Sequence, residues 1–263
     1  MRFYIFRNIY VVFTVIVSLT SFSSFAGSIL KISTGYDVTT GSYDQTTDTK
    51  IETFPVIIGY IDNAWSYRLT IPYVRVSGDG TVVPGTKGSR SRFFSSAVPS
   101  TTTVTNSGLG DITARVGYGF FPANAFFEIS SKVKFATADS SKNLGTGEND
   151  FYFQLDGVIG RGAFLPFFTL GYLITGDTTS IKYKDVPYAT LGAMYKVSKK
   201  AGFGIAYDYR QSSSAGISDI KQGSLFVNWK NSSRWSTSLS ILRGYTNSAP
   251  DTGFNIALTR SYY

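Results

Sequence analysis

Residues 108 to 121 read Gly-Leu-Gly-Asp-Ile-Thr-Ala-Arg-Val-Gly-Tyr-Gly-Phe-Phe, and their alternation decides the fold. Ile112, Ala114, Val116, Tyr118 and Phe120 share one parity, and Asp111, Thr113, Arg115, Gly117 and Gly119 share the other. Successive side chains of a strand point to opposite faces, so this segment predicts a strand with one apolar wall and one wet wall. Pro122-Ala123-Asn124 closes it with a tight turn.

The same unit recurs outward in both directions. Upstream, Leu30, Ile32, Thr34 and Tyr36 share a face. Phe54, Val56, Ile58 and Tyr60 alternate with Thr53, Pro55, Ile57 and Gly59, and Trp65, Tyr67, Leu69, Ile71 and Tyr73 alternate with Ser66, Arg68, Thr70 and Pro72. Downstream, Phe127, Ile129, Val133 and Phe135 oppose Glu128, Ser130, Lys132 and Lys134, and Phe151, Phe153, Leu155 and Ile159 oppose Tyr152, Gln154 and Asp156. The segment from Phe164 to Thr175 is apolar on both parities. Further strands carry Ala189 to Val197, Phe203 to Tyr209, Leu225 to Trp229, Trp235 to Ile241, and Phe254 to Tyr262. No window has the 3.6-residue period of an amphipathic helix.

This gives about twelve strands of roughly ten residues, an even number as bacterial membrane barrels use. Connections alternate between long and short, which places six long loops at one end and five short turns with both termini at the other. Trp65, Phe120, Trp229 and Trp235 beside the short turns suit an interfacial girdle. A soluble β-sandwich would alternate as well, but closure is how a sheet satisfies its edges in lipid. The fold class is therefore all-β, a transmembrane antiparallel up-and-down barrel over residues 27–263.

Residues 1–26 read as a cleaved export signal. Arg2 and Arg7 precede an apolar run from Ile9 to Leu19, and Ser24-Phe25-Ala26 supplies the small residues of a cleavage site. The apolar run is shorter than the roughly 20 residues of a spanning helix. Removal lowers the formal charge of the chain from +8 to +6, since the segment holds two Arg and no acid. The positive charges are scattered along strands rather than clustered, so nucleic acid is not an expected partner. The expected location is the outer membrane of a Gram-negative cell.

The chain of 263 residues has neither Cys nor His. That excludes disulfides, thiolate metal sites, Cys nucleophiles and the usual general base. Outer-membrane lipase and protease barrels of similar size rely on a His, so no enzyme is expected, with no catalytic residue, metal or cofactor. Gly108-Leu-Gly110 and Leu144-Gly-Thr-Gly147 superficially match phosphate-binding glycines, but neither opens a helix. Asp139, Glu148, Asp150, Asp177 and Asp185 lie at outer strand ends without an EF-hand spacing and read as a solvated rim.

The wet parity nominates the pore-lining residues Lys31, Arg68, Arg115, Glu128, Lys132, Lys134, Gln154, Asp156, Lys196, Asp208 and Arg210. Cations outnumber acids there, and a cationic ring in a narrow pore favours anions. The same set could instead pair across strands and close the lumen with an ionic network, so an open pore and a plugged barrel acting through its outer loops both stand. Between Gly78 and Ser107 lies the longest loop, with Arg90, Arg92, Phe93 and Phe94 as a candidate constriction. Composition favours a surface loop over an inward fold.

Gly108-Leu-Gly-Asp-Ile112, Leu144-Gly-Thr-Gly-Glu-Asn-Asp150, Pro166-Phe-Phe-Thr-Leu-Gly-Tyr172 and Gly176-Asp177 resemble the outer-membrane family named for the MetA pathway of phenol degradation. Tyr188-Ala-Thr-Leu-Gly192, Tyr207-Asp-Tyr-Arg-Gln211 and Arg234-Trp235 fit its second half. The resemblance covers roughly residues 108–262 and, more loosely, the first strands. It implies a porin-like barrel passing small molecules, such as aromatic compounds, with no catalytic residue to carry over. The last strand, ending Arg260-Ser-Tyr-Tyr263, resembles the C-terminal signal read by the barrel assembly machinery. The expected partners are thus outer-membrane lipid, a small-molecule solute and that machinery, with the barrel a monomer.

Overall fold

The computed structural model describes residues 28–43, 47–80, 82–84, 103–160, 162–177, 182–214 and 216–263. The proposed export signal and the four candidate constriction residues Arg90, Arg92, Phe93 and Phe94 lie outside them.

The strands are β1 (Ile29–Gly41), β2 (Thr49–Asp62), β3 (Trp65–Gly78), β4 (Val104–Leu109), β5 (Thr113–Phe120), β6 (Ala125–Lys134), β7 (Asp150–Ile159), β8 (Phe164–Ile174), β9 (Val186–Lys196), β10 (Ala201–Arg210), β11 (Ile220–Lys230), β12 (Trp235–Gly244) and β13 (Thr252–Tyr262). Consecutive strands pair antiparallel except β4 with β5, and β1 pairs with β13 from Leu30↔Tyr262 to Thr40↔Thr252. That last ladder closes the sheet into a barrel. Because β4 and β5 both pair with β3, the thirteen strands make twelve staves.

The deciding stretch is split rather than continuous. β3 meets β4 with Tyr73↔Leu109 and meets β5 with Thr70↔Thr113, so Gly110, Asp111 and Ile112 oppose only Ile71 and Pro72. Pro72 has no N–H to donate, while its carbonyl accepts the Gly110 N–H at 2.8 Å. One extra residue in a stave is a bulge, and it inverts the parity on either side. Odd residues of β4 face outward, as Leu109 does, whereas even residues of β5 do. The alternation read from Asp111 onward is correct, but β4 begins at Val104, so four residues of the stretch Gly78 to Ser107 expected to be loop are strand.

Outside, every stave carries an apolar stripe. Trp65, Phe120 and Trp235 are exposed at the short-turn end, and Trp65 packs edge-on to Tyr118 at 5.1 Å. Arg260, which interrupts the apolar parity of β13, lays its guanidinium over the rings of Tyr262 and Trp235 at 4.9 and 5.4 Å.

Inside, the wall is not uniform. Phe126, Val158, Leu165, Phe167, Met194, Ala206 and Phe226 form an apolar cluster toward the short turns. This cluster explains why β8 is apolar on both faces. At the other end the segment after Phe135, up to Glu148, reads as a loop from its Gly and Ser content. It instead turns through a short 3-10 helix, Ser140–Lys142, capped by Asp139. Leu144 and Ala138 pack with Val74 and Val76 on the inner face of β3. Asn143 Nδ2 donates to the Gly80 carbonyl at 2.7 Å and Asn106 Nδ2 to that of Lys142 at 2.9 Å. The segment therefore folds into the mouth of the barrel, held by its own side chains.

Candidate functional site

The inward parity places all eleven nominated lumen residues inside the barrel wall. They do not form one ring. Arg115, Glu128, Asp156 and Gln154 come together at mid-barrel on β5, β6 and β7. Arg115 Nη2 lies 2.9 Å from Glu128 Oε1 and 2.6 Å from Asp156 Oδ2, and its Nε donates to Ser130 Oγ at 3.0 Å. Asp156 also accepts from Gln154 Nε2 at 2.6 Å and Thr169 Oγ1 at 2.5 Å. Ser66 Oγ donates to Glu128 Oε2 at 3.0 Å, and the Tyr188 hydroxyl to Gln154 Oε1 at 3.0 Å.

Two glycines make this cluster possible. A Cβ on Gly117 would stand 2.6 Å from Ser66 Oγ and 2.9 Å from Glu128 Cδ, and one on Gly171 would overlap the Tyr188 ring. Arg68 faces Arg115 across the β3–β5 ladder, on the same inner wall. With both carboxylates of the cluster within hydrogen-bond reach of one guanidinium, the charge of Arg115 is spent locally. Buried charges persist when they are paired and hydrogen-bonded in this way.

Lys134 belongs to a second cluster nearer the long loops. Its Nζ sits 3.1 Å from Asp111 Oδ2, 3.0 Å from Asp150 Oδ2 and 3.1 Å from Thr146 Oγ1. Asp111 and Asp150 also accept backbone N–H groups, from Ala138 at 3.1 Å and Gly176 at 3.1 Å respectively. The bulge thus delivers Asp111 to the lysine, and the whole group ties segment 135–149 to the wall. Of the five carboxylates expected at a solvated rim, Asp150 is instead almost fully buried in this latch. Asp177 and Asp185 cap backbone N–H groups of Tyr183 and Thr175 at 2.8 and 3.1 Å. Asp139 stays exposed, and the Ser141 hydroxyl holds its carboxyl below the usual range.

The remaining nominees are dispersed. Lys132 Nζ stands 3.7 Å from the centre of the Tyr152 ring. Asp208 accepts from Thr190 Oγ1 at 2.6 Å and from Gln222 Nε2 at 3.3 Å. Lys31 and Lys196 lie toward the short-turn end and Arg210 toward the long loops.

Charge alone misses the other wall. β11, β12 and β13 carry Gln222, Ser224, Asn228, Ser236, Ser238, Ser240 and Asn255 on the inward parity. Their strand order sets this wall across the barrel from β5, β6 and β7. The signal was present in the alternation, but these residues are small or neutral and attract no attention beside Lys and Arg. Among the described residues no group of three or more His, Cys, Asp or Glu could hold a metal ion.

No protein-family model and no curated protein sequence matches the chain. Solved structures do. An outer membrane channel from Pseudomonas putida F1 aligns with a TM-score of 0.68 at 13% identity, over 91% of this chain and 97% of that one. The KdgM porin aligns at 0.57 and 10% identity, over 89% and 99%. The translocator domain of the autotransporter NalP from Neisseria meningitidis aligns at 0.57 and 9% identity, over 90% and 89%. At such identities the likeness is one of fold.

Proposed function

We propose that the chain is a monomeric outer-membrane barrel that lets small solutes cross by passive diffusion and performs no chemistry. One observation carries this reading: the polarity of the molecule is inverted. Ile129, Leu191 and Ile241 are 60, 62 and 55% exposed on the outer face, whereas Arg115, Glu128, Lys134 and Asp156 are at most 8% exposed within. A soluble protein does not present a belt of large apolar side chains on all sides, and lipid is the solvent that such a belt fits. The fold shared with a channel and a porin supports passage as the use of the interior.

Residues 1–26 serve in this reading as the export signal, and β13 as the segment recognised during barrel assembly. The motifs between Gly108 and Trp235 support placement in the phenol-degradation family, and with it aromatic compounds or other small anions as solutes. A second reading has its own observation in favour: segment 135–149 occupies the mouth, so the barrel would be plugged and act through its outer loops.

Conductance separates the two. The exported protein, purified from outer membranes into a planar bilayer, should give discrete current steps, and a salt gradient should reveal an anion preference. A folded barrel that carries no current would overturn passage in favour of the plugged reading.

A further inference from the structure

The wall formed by β11, β12 and β13 holds a row of polar atoms without protein partners. Gln222 Oε1, Ser224 Oγ, Asn228 Nδ2 and Oδ1, Ser238 Oγ and Asn255 Oδ1 are all buried and make no hydrogen bond. Leaving one such group unsatisfied costs about 1–3 kcal/mol. Asn228 opposes Ser238 between β11 and β12 and Ser240 opposes Asn255 between β12 and β13, while Gln222 and Ser224 lie nearer the long loops, on the far side of the buried Phe226. Native interiors keep only a few such groups in all, and here several share a wall.

The chemistry of these atoms is directional. Gln222 Nε2 donates to Asp208 Oδ2 at 3.3 Å, and Asn255 Nδ2 donates to the Tyr36 carbonyl at 3.5 Å. Both partners are acceptors, so each amide is anchored by its nitrogen and turns its oxygen away. The wall therefore offers amide oxygens that accept, hydroxyls that do both, and one amide, Asn228, with both ends open. An anion brings acceptors only, so it can use the hydroxyls and the Asn228 nitrogen but leaves every amide oxygen unmatched. An aromatic hydrocarbon brings neither. A hydroxyl group brings a donor and an acceptor at one atom and answers every position.

We propose that Gln222, Ser224, Asn228, Ser238 and Asn255 form a hydrogen-bonding track that selects uncharged, hydroxyl-rich solutes of the polyol class. This rests on the passage reading and replaces the aromatic compounds and small anions named there with a different solute class along this wall. The opposite wall does not compete for such a solute, because Arg115, Glu128, Asp156 and Gln154 already bond one another. The solute exchanges its water hydrogen bonds for those of the track in steps, which lowers the barrier to entering a narrow lumen without trapping it.

Sorbitol and gluconate test the idea, since they differ at one terminal carbon, an alcohol in the first and a carboxylate in the second. Sorbitol should reduce the single-barrel current in a saturable way beyond the fall in bulk conductivity, and gluconate should do so more weakly. In an Asn228→Leu, Ser238→Ala double variant the half-blocking concentration of sorbitol should rise about tenfold, the loss expected for roughly one hydrogen bond. Ser238→Ala alone provides a milder variant should the double one fail to fold, with a rise of about threefold for a weaker single contact. Block by gluconate without block by sorbitol, or equal sorbitol block in wild type and variants, would overturn the track. A barrel that carries no current defeats the passage reading by itself. Saturation-transfer NMR of sorbitol with the purified barrel then decides the track: a signal lost in Ser238→Ala upholds it, and no signal in the wild type rejects it.

Discussion

The two inner walls differ in how their polar groups are satisfied. From β5 to β8, charged side chains bind each other: Arg115 spans Glu128 and Asp156, and Thr169 and Gln154 fill the remaining acceptor sites of Asp156. From β11 to β13, neutral side chains leave oxygens and an amide open. A closed ionic network stiffens a wall and resists rearrangement, since removing one member strands the others in a low dielectric. In the proposed account one side of the barrel is scaffold and the other meets the solute, although both read as the wet parity of a strand.

Substitutions on the two walls should accordingly move stability in opposite senses. The largest effect is expected from Arg115→Leu, which removes the cation held 2.9 Å from Glu128 and 2.6 Å from Asp156 and should cost about 3–5 kcal/mol. Urea unfolding followed by the heat-dependent mobility of the barrel on gels would read it. Lys134→Met should cost less, about 2–3 kcal/mol, because its carboxylates lie nearer the aqueous mouth than a fully enclosed pair. It should also make segment 135–149 cleavable by added protease, which Arg115→Leu need not do in molecules that remain folded.

Leu144→Ala sharpens the distinction between latch and packing. It removes the apolar anchor of the same segment while leaving Lys134 paired, and should cost about 2 kcal/mol, the low end for core truncations. Comparable protease sensitivity in Leu144→Ala and Lys134→Met would show that both contacts hold the segment in the mouth. The smallest effect belongs to the neutral wall. Ser238→Ala removes an unpaired hydroxyl and should leave stability unchanged or raise it by up to about 1 kcal/mol. A loss as large as that of Lys134→Met would mean that this wall too is structural.

The barrel was legible in the sequence because parity is a local property. Apart from β4 and the doubly apolar β8, each strand from Leu30 to Tyr262 declares its outer face by side chains two apart, the pattern of a barrel whose outside meets lipid. The bulge was not legible, because it depends on Pro72 lying opposite Gly110, a pairing between residues far apart in sequence. The same holds for segment 135–149, whose Gly and Ser content reads as loop until Leu144 finds Val74 and Val76. Parity found Arg115, Glu128 and Asp156, yet their mutual pairing depends on room left by Gly117, and Asp150 read as rim before Lys134 drew it inward. Asn228 and Ser238 stood on the correct parity throughout. What set them apart was the absence of a partner, which only three-dimensional neighbours can reveal.

The chain has no Cys, so a single introduced thiol reports its own surroundings without background. The most direct test of a passage along the neutral wall compares Ser238→Cys with Ser130→Cys, the latter replacing a hydroxyl that accepts from Arg115. With each barrel in a planar bilayer, a charged, membrane-impermeant methanethiosulfonate is added while the current is recorded. The current through Ser238→Cys should fall as the thiol is modified, and that through Ser130→Cys should hold. A fall in Ser130→Cys with Ser238→Cys unaffected would place the passage along the ionic wall and contradict the account.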